Sequence, residues 1–232
     1  AKKEPVGIEA WIINISCEKR NSWNLQDLKS NSTMKVILSA LKAEAFPLIN
    51  YYKLIPSNSI GLQMYRNDLF TMLITGVGKK NVNKTLKEYL KKTKNIEEAK
   101  FINIGIAGGV KGNCKIGEMF FIDKVFDDYL EVNYNIKSGN RSNLLENRVT
   151  TVFEPIMNSD QEREGLVDME AYEICSVLSD FNHLNKVTII KIVSDFMDLE
   201  TKYLSSKKIQ KLIEKNLFDI DHFLNDNSKL YK

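Results

Sequence analysis

At 232 residues, with 43% hydrophobic and 27% charged side chains, the chain fits one sizeable domain that buries a core without disulfide staples. A net charge of +3, from 33 basic and 30 acidic residues, is too small to mark a nucleic-acid binder. The five arginines, Arg20, Arg66, Arg141, Arg148 and Arg163, leave little capacity for bidentate phosphate capture. Cys17, Cys114 and Cys175 form no CxxC pair, and His183 and His222 make no metal cluster. Reduced thiols, no metal and no cofactor are expected. No apolar run reaches the length of a membrane span, and the first residues, AKKEPVGIEAW, carry no signal-peptide core. A cytoplasmic protein without a membrane partner is expected.

Residues 1–33 read as a peripheral extension, with EAWIINIS as an edge strand before a polar, turn-rich stretch. From residue 34 to 232 the pattern sharpens into one domain. KVILSAL is a buried strand, and KAEAFPLINYYKL a helix whose start is limited by Pro47. IGLQMYRND and LFTMLITGVG form a hairpin. KKNVNKTLKEYLKKTK is an amphipathic helix, with Val82, Leu86 and Leu90 at helical spacing. KFINIGIAGGV is a buried strand that runs into a glycine-rich turn, and GEMFFIDKVFDD is another strand. NYNIKSGNRSNLLEN reads as a loop, RVTTVFEPI as a strand, and VDMEAYEICSVLSDFN as a helix with Ala171, Ile174, Val177 and Leu178 on one face. The strand NKVTIIKIVSD follows, and a terminal helix lies around SSKKIQKLIEKNLFDIDHFLND. Buried strands interleaved with helices, plus a hairpin, predict an α/β fold: a single domain with a mixed central β-sheet flanked by helices.

Four strand ends present chemistry. Glu44 follows the first, Thr75-Gly76-Val77-Gly78 the second, Gly105-Ile106-Ala107-Gly108-Gly109 the third, and Ser194-Asp195 closes the last. GIAGG is not a dinucleotide fingerprint, and GVGKK lacks the spacing of a P-loop. Taken singly, each has a plain alternative. Ser and Asp are favoured helix N-caps, and Glu170 in the first turn of a helix complements its dipole. Glu44 near a helix start reads as solvated, the glycines as turns, and Phe153, Met169, Tyr172 and Cys175 as packing residues.

Taken in order, MKVILSALKAEAFPL, TGVGKKNV, FINIGIAGGV, KIGEMFFID, VDMEAYEI and IIKIVSDFMD resemble the nucleoside phosphorylase/nucleosidase superfamily, and most nearly the 5′-methylthioadenosine/S-adenosylhomocysteine nucleosidases. The resemblance covers roughly residues 34–224. It implies a small-molecule purine nucleoside as substrate, no cofactor, and a homodimer. It gives Asp195 the task of protonating or hydrogen-bonding N7 of the purine, and Glu44 that of activating water and holding the ribose. Glu170 binds the ribose hydroxyls, with Met169 beside the sugar and Phe153 as the residue stacked on the purine. Thr75, Gly76, Ala40, Gly108 and Ser194 line the pocket.

Cleavage of an N-glycosidic bond builds positive charge on the sugar and negative charge on the base. A protonated Asp195 offsets the second, and ionised Glu44 and Glu170 favour the first. The hexameric bacterial phosphorylases carry an Arg where this chain has Asn103, which favours water over phosphate as nucleophile, although Lys79 or Lys80 is placed to neutralise an anion. The segment between Asp128 and Met169 is shorter than in typical nucleosidases. That leaves methylthioadenosine, adenosylhomocysteine, another adenosine derivative and futalosine-like nucleosides as substrates. A phosphorylase and a nucleoside-binding relative without turnover are the rival readings.

Overall fold

A computed structural model describes residues 33–136, 145–157 and 164–225; all but the last residue of the expected extension at 1–33 lies outside them. In chain order the elements are β1 (Lys35–Ser39), α1 (Lys42–Tyr51), β2 (Ile55–Ser57), β3 (Met64–Arg66), β4 (Phe70–Ile74), α2 (Lys79–Lys92) and β5 (Lys100–Gly108). Then come β6 (Met119–Asp127), β7 (Asn133–Asn135), β8 (Glu146–Thr151), β9 (Leu166–Asp168) and α3 (Ala171–Asp180). β10 (Val187–Asp195), α4 (Ser206–Lys215) and α5 (Leu217–Asn225) complete the described chain.

The strands form a mixed sheet, as the alternation of strands and helices predicts. β4, β1, β5 and β10 run parallel, in that order across the sheet. Antiparallel β3 and β2 extend it beyond β4. On the other side β10 pairs with β6, β6 with β8, β8 with β9, and β9 returns to β5 at Gly108 opposite Val167, so these five strands close into a ring.

The parallel strands are buried on both faces, which is why they read as continuous apolar runs. Val36, Leu38, Phe101 and Ile189 pack with Val82 and Leu86 of α2 and with Ile174 and Leu178 of α3. Their alternates Ile37, Ile102, Ile104, Ile190 and Ile192 pack with Leu48 of α1, Ile213 of α4 and Ile220 of α5. By the same alternation, Asn103, Gly105 and Lys191 belong to the face covered by α2 and α3. Among the described residues no helix is long and apolar enough to cross a membrane.

Several local expectations change. The hairpin gains a third strand, β2, paired in register with β3. The stretch read as a loop at 133–147 contains β7, paired with β6, and the start of β8. Val167 and Asp168 belong to a short strand rather than to the helix, because they pair with β5 and β8. Pro47 lies inside α1, and the terminal helix breaks at Asn216, whose side chain bonds to the carbonyls of Gly117 and Leu212.

Candidate active site

The carboxyl ends of β1, β4, β5 and β10 share one edge, the place where open α/β sheets bind ligands. Carboxylates collect there. Glu44 is the third residue of α1, and its Oε2 reaches back over the helix start to accept the N–H groups of Ala40 and Leu41, each at 2.9 Å. Its Oε1 accepts the N–H of Ile106 on β5, also at 2.9 Å. Oε2 thus caps the start of α1 while Oε1 turns to the sheet. A carboxylate offers about four acceptor positions; fixed backbone donors fill three of these, and the last is on Oε1. The side chain is 3% exposed, not solvated. Burial pushes its carboxyl up, against the pull of those N–H groups and of Lys191. A Cβ at Gly105 would lie 2.9 Å from Oε1, so glycine is what lets the carboxylate approach β5.

Glu170 is not in the first turn of its helix. α3 begins at Ala171, and Glu170 is the N-cap residue without a cap bond from its own side chain. Its Oε1 instead accepts the N–H of Gly78, the N-cap of α2, at 2.8 Å. The N-terminus of α2 therefore meets this carboxylate, which favours the ionised form. Burial and the neighbouring Asp168 carboxylate prevail over this and over the pull of Lys191, and push Glu170 up to about 7.

Two residues outside the sequence-based candidates complete the cluster. Lys191 Nζ lies 2.7 Å from Asp168 Oδ2, with both side chains 1% exposed. Asp168 also accepts the Thr151 hydroxyl at 2.6 Å and the Ala171 N–H at 2.8 Å. Burial pulls Lys191 down, but the carboxylates of Asp168, Glu170 and Glu44 outweigh it and hold the ammonium above its ordinary value. The signal was present in the sequence. A lysine midway along a strand buried on both faces requires a carboxylate partner.

Asp195 caps no α-helix, because the chain after β10 turns into a short 3-10 segment, Leu199–Tyr203. Its Oδ1 accepts the Met197 N–H and the Thr201 hydroxyl, each at 2.9 Å, and its Oδ2 lies 2.5 Å from the Ser194 hydroxyl. In register Asp195 stands opposite Gly108. A Cβ there would lie 2.6 Å from Met197 Cγ and 3.3 Å from Oδ1. Glu44 meets β5 at Ile106 and Asp195 meets it at Gly108, an offset of about 7 Å along the strand.

The remaining candidates fall around this edge. Thr75, buried, ties the end of β4 to β1 through its N–H and hydroxyl on the Ser39 carbonyl, at 2.9 and 3.3 Å, and Gly76 follows it. Ser194 is buried, its hydroxyl also 3.2 Å from the Ala107 carbonyl. Met169 packs with Val152, Val167 and Met197. Tyr172 and Cys175 are core residues, as read. Phe153 is not: it is 67% exposed, just beyond the end of β8.

Lys79 is committed elsewhere, in an ion pair with Asp127 and over the ring of Tyr172. Burial raises the Asp127 carboxyl, but hydrogen bonds from Lys79 and from the N–H groups of Tyr129 and Leu130 outweigh it and hold it below the usual range. Asn103 donates to the Leu38 carbonyl at 3.0 Å. Among the described residues no group of His, Cys, Asp and Glu is arranged for a metal ion. A cavity of about 210 Å³ lined by Met34, Arg66, Tyr89 and Lys92 opens at the amino ends of β1 and β4, away from these carboxylates.

The chain has the nucleoside phosphorylase/nucleosidase fold. The 5′-methylthioadenosine/S-adenosylhomocysteine nucleosidase of S. pneumoniae, solved with a transition-state inhibitor, superposes with a TM-score of 0.69 at 15% identity, over 83% of this chain and 98% of that one. Futalosine hydrolase of Helicobacter pylori gives 0.69 at 11% identity over 84% and 99%. The corresponding nucleosidase of Chlamydia trachomatis gives 0.66 at 20% identity over 83% and 99%. No protein-family model and no curated protein sequence matches the chain.

Proposed function

We propose that the protein hydrolyses the N-glycosidic bond of a purine nucleoside of the methylthioadenosine or adenosylhomocysteine kind. The observation that carries this is the convergence of Glu44, Glu170 and Asp195 on the carboxyl end of β5 and its neighbours. In the reaction the C1′–N9 bond breaks with its electron pair passing to the base, and the Asp195 proton goes to N7. Water adds its oxygen to C1′ and gives a proton to Glu44 at the last acceptor position of Oε1. Glu170 holds the ribose hydroxyls, Met169 packs against the sugar and Phe153 stacks on the base. Asp168 and Lys191 balance the charge beneath them.

The commitment of Lys79 to Asp127 and of Asn103 to the backbone supports water rather than phosphate as nucleophile. The homodimer implied by the resemblance and the cytoplasmic location expected from the sequence are part of the same reading. Incubation with methylthioadenosine, adenosylhomocysteine and adenosine should release free base without added phosphate. Asp195→Asn should lower the rate about 10²–10⁴-fold while the protein stays folded. Base release that requires phosphate selects the phosphorylase, and nucleosides bound without turnover select the binding protein.

A further inference from the structure

We propose that Thr201, in the 3-10 segment that follows β10, is a positioning residue for Asp195. This rests on the reading of Asp195 as the acid. A carboxyl group has about four in-plane positions for protons and hydrogen bonds. On Oδ1 both are occupied, one by the Met197 N–H and one by the Thr201 hydroxyl, each at 2.9 Å. On Oδ2 the Ser194 hydroxyl, at 2.5 Å, occupies one. One position is left, on Oδ2, and the acidic proton has a single place and a single direction of delivery.

Thr201 is the outermost of these three donors. The Met197 N–H is fixed by the turn, and Ser194 is buried in β10 with its hydroxyl also near the Ala107 carbonyl. Thr201 is half-buried, and its segment is pinned by its own backbone, the Thr201 N–H donating to the Asp198 carbonyl at 3.0 Å and the Leu204 N–H to that of Thr201 at 3.2 Å. Leu199 and Tyr203 at either end of the segment are exposed, and the Thr201 hydroxyl ties the segment to the end of β10. Without it, Oδ1 becomes a second place for the proton, and the carboxylate formed after proton transfer loses a charge-assisted hydrogen bond. Both effects slow the step in which Asp195 acts, and neither touches the sugar.

Thr201→Val, of the same shape without the hydroxyl, should lower kcat about 10- to 100-fold, the worth of one hydrogen bond to a charged group. KM and Tm should hardly change, and Thr201→Ser should restore most of the rate. Thr201→Ala, which adds no atoms, gives the same comparison should the valine variant fold poorly. Wild-type kcat in both hydroxyl-free variants, beside an inactive Asp195→Asn, overturns the role of Thr201 and leaves the proposed function standing. An equal loss in Thr201→Ser and Thr201→Val also overturns it, because the hydroxyl is then not what counts. No base release by the wild-type protein in the same assay overturns the proposed function and the inference together.

Discussion

Replacing Glu170 by Gln should change how stability depends on pH, in a window set by its surroundings. In the folded protein the carboxyl titrates at about 7, against 4.5 for an ordinary Glu. Below 4.5 the folded and unfolded chains both carry the proton, and the group has no effect on stability. Between the two values the folded chain keeps a proton that the unfolded chain has lost, so stability falls as pH rises. Above about 7 the loss is complete. The interval corresponds to roughly 3 kcal/mol, a large part of the 5–15 kcal/mol typical of a domain. An uncharged Gln is spared it. Urea unfolding of both proteins across the window should show the Gln variant gaining about 3 kcal/mol on the parent, or about 6–12 °C in Tm. Parallel curves would refute the burial and the Asp168 contact as causes.

Gly105→Ala places a Cβ 2.9 Å from Glu44 Oε1, so steady-state kinetics should show a kcat loss far beyond the about 1–3 kcal/mol that overpacking costs in a melting experiment. Phe153→Ala should leave Tm unchanged, because the ring is exposed, and raise KM; a fall in Tm of several degrees would mean that the ring packs. Lys191→Met removes the partner of Asp168 and should cost about 3–5 kcal/mol in chemical denaturation, less at acid pH where carboxylates regain protons. A constant cost across pH would show that the ammonium does not neutralise them.

β1, β5 and β10 were legible because strands covered on both faces have no polar alternation to obscure them, and their ends could be found by where the apolar run stops. Glu44, Glu170 and Asp195 are singled out by the resemblance to the nucleosidases, since taken alone each also reads as a cap or a solvated acid. What could not be read is what depends on distant partners. β9 is three residues long and exists because it pairs along its length with β8 and, through Val167, with Gly108, fifty-nine positions earlier in the chain. That pairing draws Val167 and Asp168 out of the helix and leaves Glu170 at its edge, where the side chain finds Gly78 instead of capping its own helix. Lys191 is a charged residue inside the apolar run of β10. It is the cation that makes the run's buried carboxylate neighbours tolerable. Phe153 read as core by its type, but hydrophobicity alone does not say on which side of a strand end a ring falls.

The two carboxylates that flank β5 are held by different kinds of donor, and the difference matches the tasks proposed for them. Around Glu44 all three donors are backbone N–H groups, which cannot turn round and so favour the anion needed to accept a proton from water. Around Asp195 two of the three are hydroxyls, from Ser194 and Thr201. Each of these hydroxyls gives its one proton to the carboxyl group, Thr201 to Oδ1 and Ser194 to Oδ2. The Ser194 hydroxyl also lies 3.2 Å from the Ala107 carbonyl of β5. With the Met197 N–H the two hydroxyls leave one open position, on Oδ2, which is where the proposed acid meets the purine base. Glu44 keeps its one open position on Oε1, beside β5, where the proposed base takes the proton of water.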